Sequence, residues 1–175
     1  MDDLRYPIGR FKAPAAITAE QLETATNEIA ALPANMRTAI TGLNSEQLGT
    51  PYRDGGWTVS QTVHHVADSH INSYIRFRLA LTEEQPAIKT YDEKAWAELP
   101  DARTADVHVS LALIEALHHR WVLLLRSMSP ADFKRSFIHP EHGVRLLDWN
   151  TLLYEWHGKH HVAHITRLRE RLFRS

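Results

Sequence analysis

The chain has 175 residues and a hydrophobic fraction of 43%, which suits one domain, residues 1–175, with a sizeable core. Its 20 Lys plus Arg offset 21 Asp plus Glu to a formal net charge of -1, so no electrostatic case exists for a nucleic-acid partner or an anionic membrane. The absence of cysteine excludes disulfides, thiolate nucleophiles and cysteine-type zinc sites, and leaves His, Asp and Glu as the only metal ligands.

No run approaches the ~18 apolar residues of a membrane span, and Met1 to Pro7 carries no apolar signal-peptide core. A soluble cytoplasmic protein is the expectation. The compositional oddity is 12 histidines.

Residues 1 to 17, with Pro7, Gly9 and Pro14, read as an extended arm laid on the body. Thr18 with Gln21 forms a capping box that opens a first helix, with Leu22, Ile29 and Leu32 on its apolar side. Pro33 is expected to break or kink it, leaving a second piece over about Ala34 to Leu43. A weaker cap at Asn44 and Gln47 marks one short turn, and Pro51 to Trp57 is a loop by its proline and paired glycines. Thr58 and Gln61 open a second long helix that runs to about Leu81. His65, Asp68, Ser69 and Asn72 lie on its polar sector, and His64 lies beside Ile71 and Ile75.

The stretch from Glu83 to Ala105 is polar, with a short helix over Asp92 to Leu99. A third long helix starts at Asp106 or Ser110 and ends at Met128, before Ser129 and Pro130. Phe137 to Leu146 allows a small β-hairpin or an irregular loop, and Asp148 is expected to cap the last helix. Four long helices with long connections point to an all-α four-helix bundle, a fold that builds metal sites from side chains on facing helices.

The last helix carries His157, His160, His161 and His164 within eight residues. Residues four apart lie about 6 Å apart along a helix, so His160 with His164, or His157 with His161, can share one ion. Trp149, Leu153, Trp156, His160 and Ala163 fall in a narrow arc with His164 at its margin, which favours His160 and His164 as the inward pair. A third donor is expected from the stretch Gln61 to Asp68, where His65 lies on the polar sector, as a ligand beside a water-filled pocket would, and His64 has the setting of a hydrogen-bonded core histidine. His108, His118, His119, His139 and His142 read as solvated or hydrogen-bonded histidines.

Several stretches together resemble the YfiT subgroup of the DinB-like family. They are Pro51-Tyr52-Arg53-Asp54-Gly55-Gly56-Trp57, His64-His65-Val66-Ala67-Asp68-Ser69-His70, Tyr91-Asp92-Glu93-Lys94-Ala95-Trp96, and Trp156-His157 with His160-His161-Val162-Ala163-His164. The resemblance runs over nearly the whole chain. It implies a DinB-like four-helix bundle, one divalent metal per chain, zinc or nickel, with His65, His160 and His164 as ligands, and a homodimer. It also implies a metal-dependent hydrolase acting on a small-molecule substrate. Related bundles transfer low-molecular-weight thiols, so a thiol transferase and a non-catalytic metal-binding protein are the rival readings.

Three imidazoles leave a zinc-type ion with open positions and its full charge, which can lower a water's pKa from 15.7 to about 7. Asp68 is the expected proton acceptor, and Arg53, Asp54 and the stretch from Tyr91 to Lys94 are expected at the mouth of the pocket. Ligation needs neutral imidazole, so binding is expected to weaken below about pH 6.5.

Overall fold

Side-chain caps set the start of three of the four long helices in the computed structural model, which describes residues 2–173. In chain order the elements are α1 (Asp2–Arg5), α2 (Ala19–Ile40), α3 (Ser45–Leu48), α4 (Val59–Thr82), α5 (Glu93–Ala97), α6 (Pro100–Thr104), α7 (Val107–Ser127), α8 (Pro130–Phe133), β1 (Ser136–His139), β2 (Gly143–Leu146) and α9 (Leu147–Leu172). Thr18 with Gln21 and Thr58 with Gln61 form full capping boxes on α2 and α4, and Asp106 caps α7 through the His108 amide. The hairpin reading holds: β1 and β2 pair antiparallel, with Phe137 opposite Arg145.

Three expectations differ. α2 runs unbroken through Pro33 to Ile40, so the second piece is its last turns. Pro33 removes one N–H, but Leu32 and Met36 on either side are fully packed, and burial of that face holds the helix together. The Ile29 carbonyl, left without its helical donor by Pro33, accepts instead from His118 Nδ1 at 2.7 Å. Next, Asp148 lies in the first turn of α9 rather than at its cap. Its buried carboxylate accepts from Lys134 Nζ at 2.6 Å, tying α9 to the residue after α8. Finally, the polar connection after α4 holds the additional short helix α6, begun by Pro100 in its first turn.

The four long helices form a bundle in which α2 packs chiefly on α7 and α9, and α4 packs on the same two. Consecutive long helices α2 and α4 therefore lie diagonally, as do α7 and α9, which requires the long connections seen in the chain. The apolar core is split in two. One cluster holds Leu32, Val63, Val66, Ile114 and Ile165; the other holds Ile29, Phe77, Trp121, Leu147 and Tyr154. Among the described residues no helix is long and apolar enough to cross a membrane.

Candidate metal centre

The face that α9 turns to the bundle decides the metal chemistry. Leu147, Thr151, Tyr154, Gly158, His161, Ile165 and Leu168 are buried at spacings of three and four. This stripe runs through His161, with His157 one turn before it. Of the arc expected to point inward, Trp149, Leu153, Trp156 and Ala163 are only partly buried, whereas His160 and the marginal His164 are buried. The N-terminal arm covers Trp149, Trp156 and His160: Phe11 packs edge-on against Trp149, Trp156 Nε1 donates to the Gly9 carbonyl at 3.2 Å, and Tyr6 lies against His160. Gly158 allows the inward face to approach α2 closely, since a Cβ there would sit 2.7 Å from Leu32 Cδ2.

The ligand atoms of His65, His157 and His161 lie within 4.8 Å of one another. His65 Nε2 faces His157 Nε2 at 3.3 Å. A tetrahedral ion with nitrogen bonds of 2.0–2.1 Å separates two of its ligands by about 3.3–3.4 Å, so this pair already stands at ligand spacing. His160 and His164 form a second grouping, with His161 rather than with His65. The expected set of His65, His160 and His164 lines one cavity, but its three ligand atoms do not all lie within 4.8 Å of one another. His164 Nε2 is bonded to the Arg5 carbonyl at 3.1 Å, and its ring stacks on Tyr52. His160 stacks on Trp156, and its buried Nδ1 has no hydrogen-bond partner.

Burial keeps these rings neutral. It lowers His65 from 6.5 to about 4, aided by repulsion from His164, and drives His157 and His161 well below 6.5. Neutral rings at pH 7 offer lone pairs, and three imidazoles suit a borderline-soft divalent ion. Because the folded protein holds these rings neutral well below pH 6.5, its metal binding should persist to lower pH than free imidazole predicts.

The histidines floor a cavity of about 490 Å³ walled by Tyr52, Trp57 and Trp156, with Arg53, Glu93 and Lys94 also on its lining. Trp57 lies over His65, ring centroids 4.4 Å apart. Gly56 lets the loop fold tightly, since a Cβ there would meet Arg53 Cγ at 2.8 Å and Tyr52 at 3.1 Å.

The sequence profile of the DinB superfamily matches residues 28–165. The chain belongs to the DinB superfamily. It is 56% identical over 172 residues to a protein of Bacillus mycoides strain KBAB4 named "Putative metal-dependent hydrolase", covering 98% of this chain and 99% of that one. A protein of Bacillus cereus strain 03BB102 with the same name matches at the same identity and coverage. A solved structure described as "YfiT from Bacillus subtilis is a probable metal-dependent hydrolase with an unusual four-helix bundle topology" superposes with a TM-score of 0.96. It is 51% identical and covers 99% of each chain.

On this DinB bundle Asp68 does not line the histidine cavity. It is half-buried on the side of α4 toward α6, where desolvation first and then the Asp101 charge raise its carboxyl to about 6. Asp68 follows His65 by three residues, which turns it about 60° around α4, away from α9. The carboxylates that do reach the cavity are Glu93 and Glu98. Glu93 is exposed at the rim, and partial desolvation there raises its carboxyl, outweighing the opposing pull of Lys94. Glu93 opens α5 under the Asp92 cap, whose carboxylate accepts from the Lys94 and Ala95 amides at 3.0 Å.

His64 has the expected core role, with Nδ1 2.8 Å from Ser110 Oγ. His70 and His118, by contrast, are fully buried and bonded to each other at 2.9 Å. For His118 the readable signal was its place on the apolar stripe of α7, one turn after Ile114.

Proposed function

We propose that this DinB-superfamily protein is a metal-dependent hydrolase of a small-molecule substrate, with one divalent ion, zinc or nickel, held by His65, His157 and His161. The carrying observation is the 3.3 Å approach of two neutral imidazole nitrogens, with the third ring beside them at the floor of a cavity. When bound, the ion supplies Lewis acidity, polarising a carbonyl or phosphoryl oxygen and acidifying a water molecule.

The chain's own residues supply the rest. Tyr52, Trp57 and Trp156 wall the cavity with aromatic rings beside the donors. Arg53 and Lys94 offer positive charge to the oxygen atoms of a substrate. Glu93, on the lining of the cavity with its carboxyl raised by partial desolvation, takes the proton released from water. The homodimer implied by the resemblance belongs to the same proposal, and light scattering giving a monomer mass would remove it.

The test is a panel of activated esters and amides, assayed with stoichiometric zinc or nickel and after chelation, then repeated with a glutathione-like thiol and an electrophile. Metal-dependent hydrolysis that falls ~10²–10⁴-fold in Glu93→Gln and much less in Asp68→Asn supports the reading. Turnover only when thiol is supplied replaces it with a thiol transferase.

A further inference from the structure

A neutral imidazole has one N–H and one lone pair, so a ring nitrogen facing a group that can only accept must carry the proton. A backbone carbonyl is such a group. The Ile29 carbonyl lies 2.7 Å from His118 Nδ1, which fixes the proton there and leaves Nε2 bare. His70 Nδ1 lies 2.9 Å from that bare nitrogen and must donate to it, so His70 Nε2 is bare in turn. His157 Nδ1 lies 3.1 Å from His70 Nε2 and donates. What remains at the end of the chain is the lone pair of His157 Nε2, the atom that faces His65.

The same logic runs from the opposite side of the site. The Arg5 carbonyl lies 3.1 Å from His164 Nε2 and fixes the proton on it. His164 Nδ1 is therefore bare, and His161 Nδ1, 3.4 Å away, donates to it. His161 Nε2 is left as the free donor atom. Two carbonyl-anchored chains thus converge on two of the three proposed ligands.

We propose that Ile29–His118–His70–His157 and Arg5–His164–His161 are positioning relays that lock His157 and His161 in the tautomer with a free Nε2 for the metal. This rests on the reading of His65, His157 and His161 as the ligands. Metal-ligating histidines draw basicity and orientation from the partner of their other nitrogen. Here that partner is a further histidine in both cases, and only the far end of each chain is a backbone group. His70 and His118 are 0% and 1% exposed, so no solvent competes for their nitrogens. Pro33 has a place in this scheme: with no N–H of its own, it leaves the Ile29 carbonyl for His118.

The first readout is ¹⁵N–¹H imidazole NMR of the metal-free protein. His118, His70, His157 and His161 should be protonated on Nδ1, and His164 on Nε2. A proton on Nε2 of His118 or His157 overturns the first relay, and one on Nδ1 of His164 the second. The second readout is affinity for Co²⁺ followed by its absorption spectrum. His118→Phe should bind ~10–100-fold more weakly, with His157 shifting toward the Nε2-protonated form. Ile114→Val, a buried change of α7 outside the relay, should leave affinity unaltered. Unchanged affinity in a folded His118→Phe overturns the relay. If His118→Phe does not fold, the wild-type tautomers decide. His65→Ala separates the two readings: losing metal there while His118 and His70 keep their tautomers upholds both, and a wild type that takes up no metal defeats the ligand assignment while the tautomers still judge the relays.

Discussion

His65 and His157 bring their Nε2 atoms to 3.3 Å across the seam between α4 and α9. At most one of these nitrogens can be protonated without repulsion, so at least one lone pair points into the gap. Alanine at His65, His157 or His161 should reduce metal in protein purified without a His-tag far below one ion per chain. His160→Ala should keep its metal, because that ring faces Tyr6 and Trp156 instead. Elemental analysis is the check, and full metal in His157→Ala with loss in His160→Ala would restore the set His65, His160 and His164.

Metal should also stabilise the fold, since the proposed ligands join α4 to α9. A ligand specific to the folded state at a hundredfold excess over Kd adds ~2.7 kcal/mol. For a chain of this size that is a Tm shift of roughly 5–11 °C at ~2–4 °C per kcal/mol. Calorimetry before and after verified chelation measures it. An unchanged Tm would show that the ion does not bridge the helices.

The buried histidines set an acid limit for the metal-free protein. Burial lowers His65 and His118 to about 4 and holds His70, His157 and His161 well below their usual value, whereas the unfolded chain titrates near ~6.5. Between those values the unfolded chain binds protons that the folded chain refuses, so stability rises with pH. The stabilising contribution is complete above ~6.5 and is lost as pH falls toward about 4. It amounts to on the order of 3 kcal/mol for each of His65 and His118. Urea midpoints should drop steadily from pH 7 to 4.5, and a flat profile would mean that the rings are not held neutral.

Gly158→Ala pits two effects against each other. Alanine in a helix gains ~1 kcal/mol over glycine. The new Cβ, however, would lie 2.7 Å and 3.0 Å from the two Leu32 methyl carbons, and Leu32 is locked in the core. Overpacking of this kind costs ~1–3 kcal/mol. A net loss of about 1 kcal/mol is expected by urea titration, with weaker metal binding because His157 is the adjacent residue. A gain in stability would show that Leu32 gives way.

The helices, most of their caps and the small hairpin were legible because each rests on local chemistry: a threonine with a glutamine three residues on, or a proline at a boundary. The face of α9 was not. Trp149 and Trp156 are apolar enough to read as core, yet their cover is an arm from the other end of the chain, through Phe11 and the Gly9 carbonyl. Periodicity shows that a stripe is covered but not by what, so it did not separate His160 and His164, buried against Tyr6, Trp156 and Tyr52, from His161 on the bundle face. Asp68 misled for a related reason. Its polar sector on α4 faces two neighbours, and only the residues nearer α9 meet the cavity. The pairing of His70 with His118 joins residues 48 apart on different helices, and nothing local encodes it.

The division of the apolar core has a consequence for how the molecule opens. On each long helix the border falls at one level: Ile29 from Leu32, Ala67 from Phe77, Ile114 from Trp121, and Tyr154 from Ile165. His70, His118 and His157 fill that level, and their hydrogen bonds touch all four helices. Hydrogen-bonded imidazoles thus lie between the two apolar halves. Amide hydrogen exchange, which resolves opening into separate structural units, should find one protected block in the metal-loaded protein. Once those rings take up protons, it should find two, parting along a plane of histidines across the middle of the bundle.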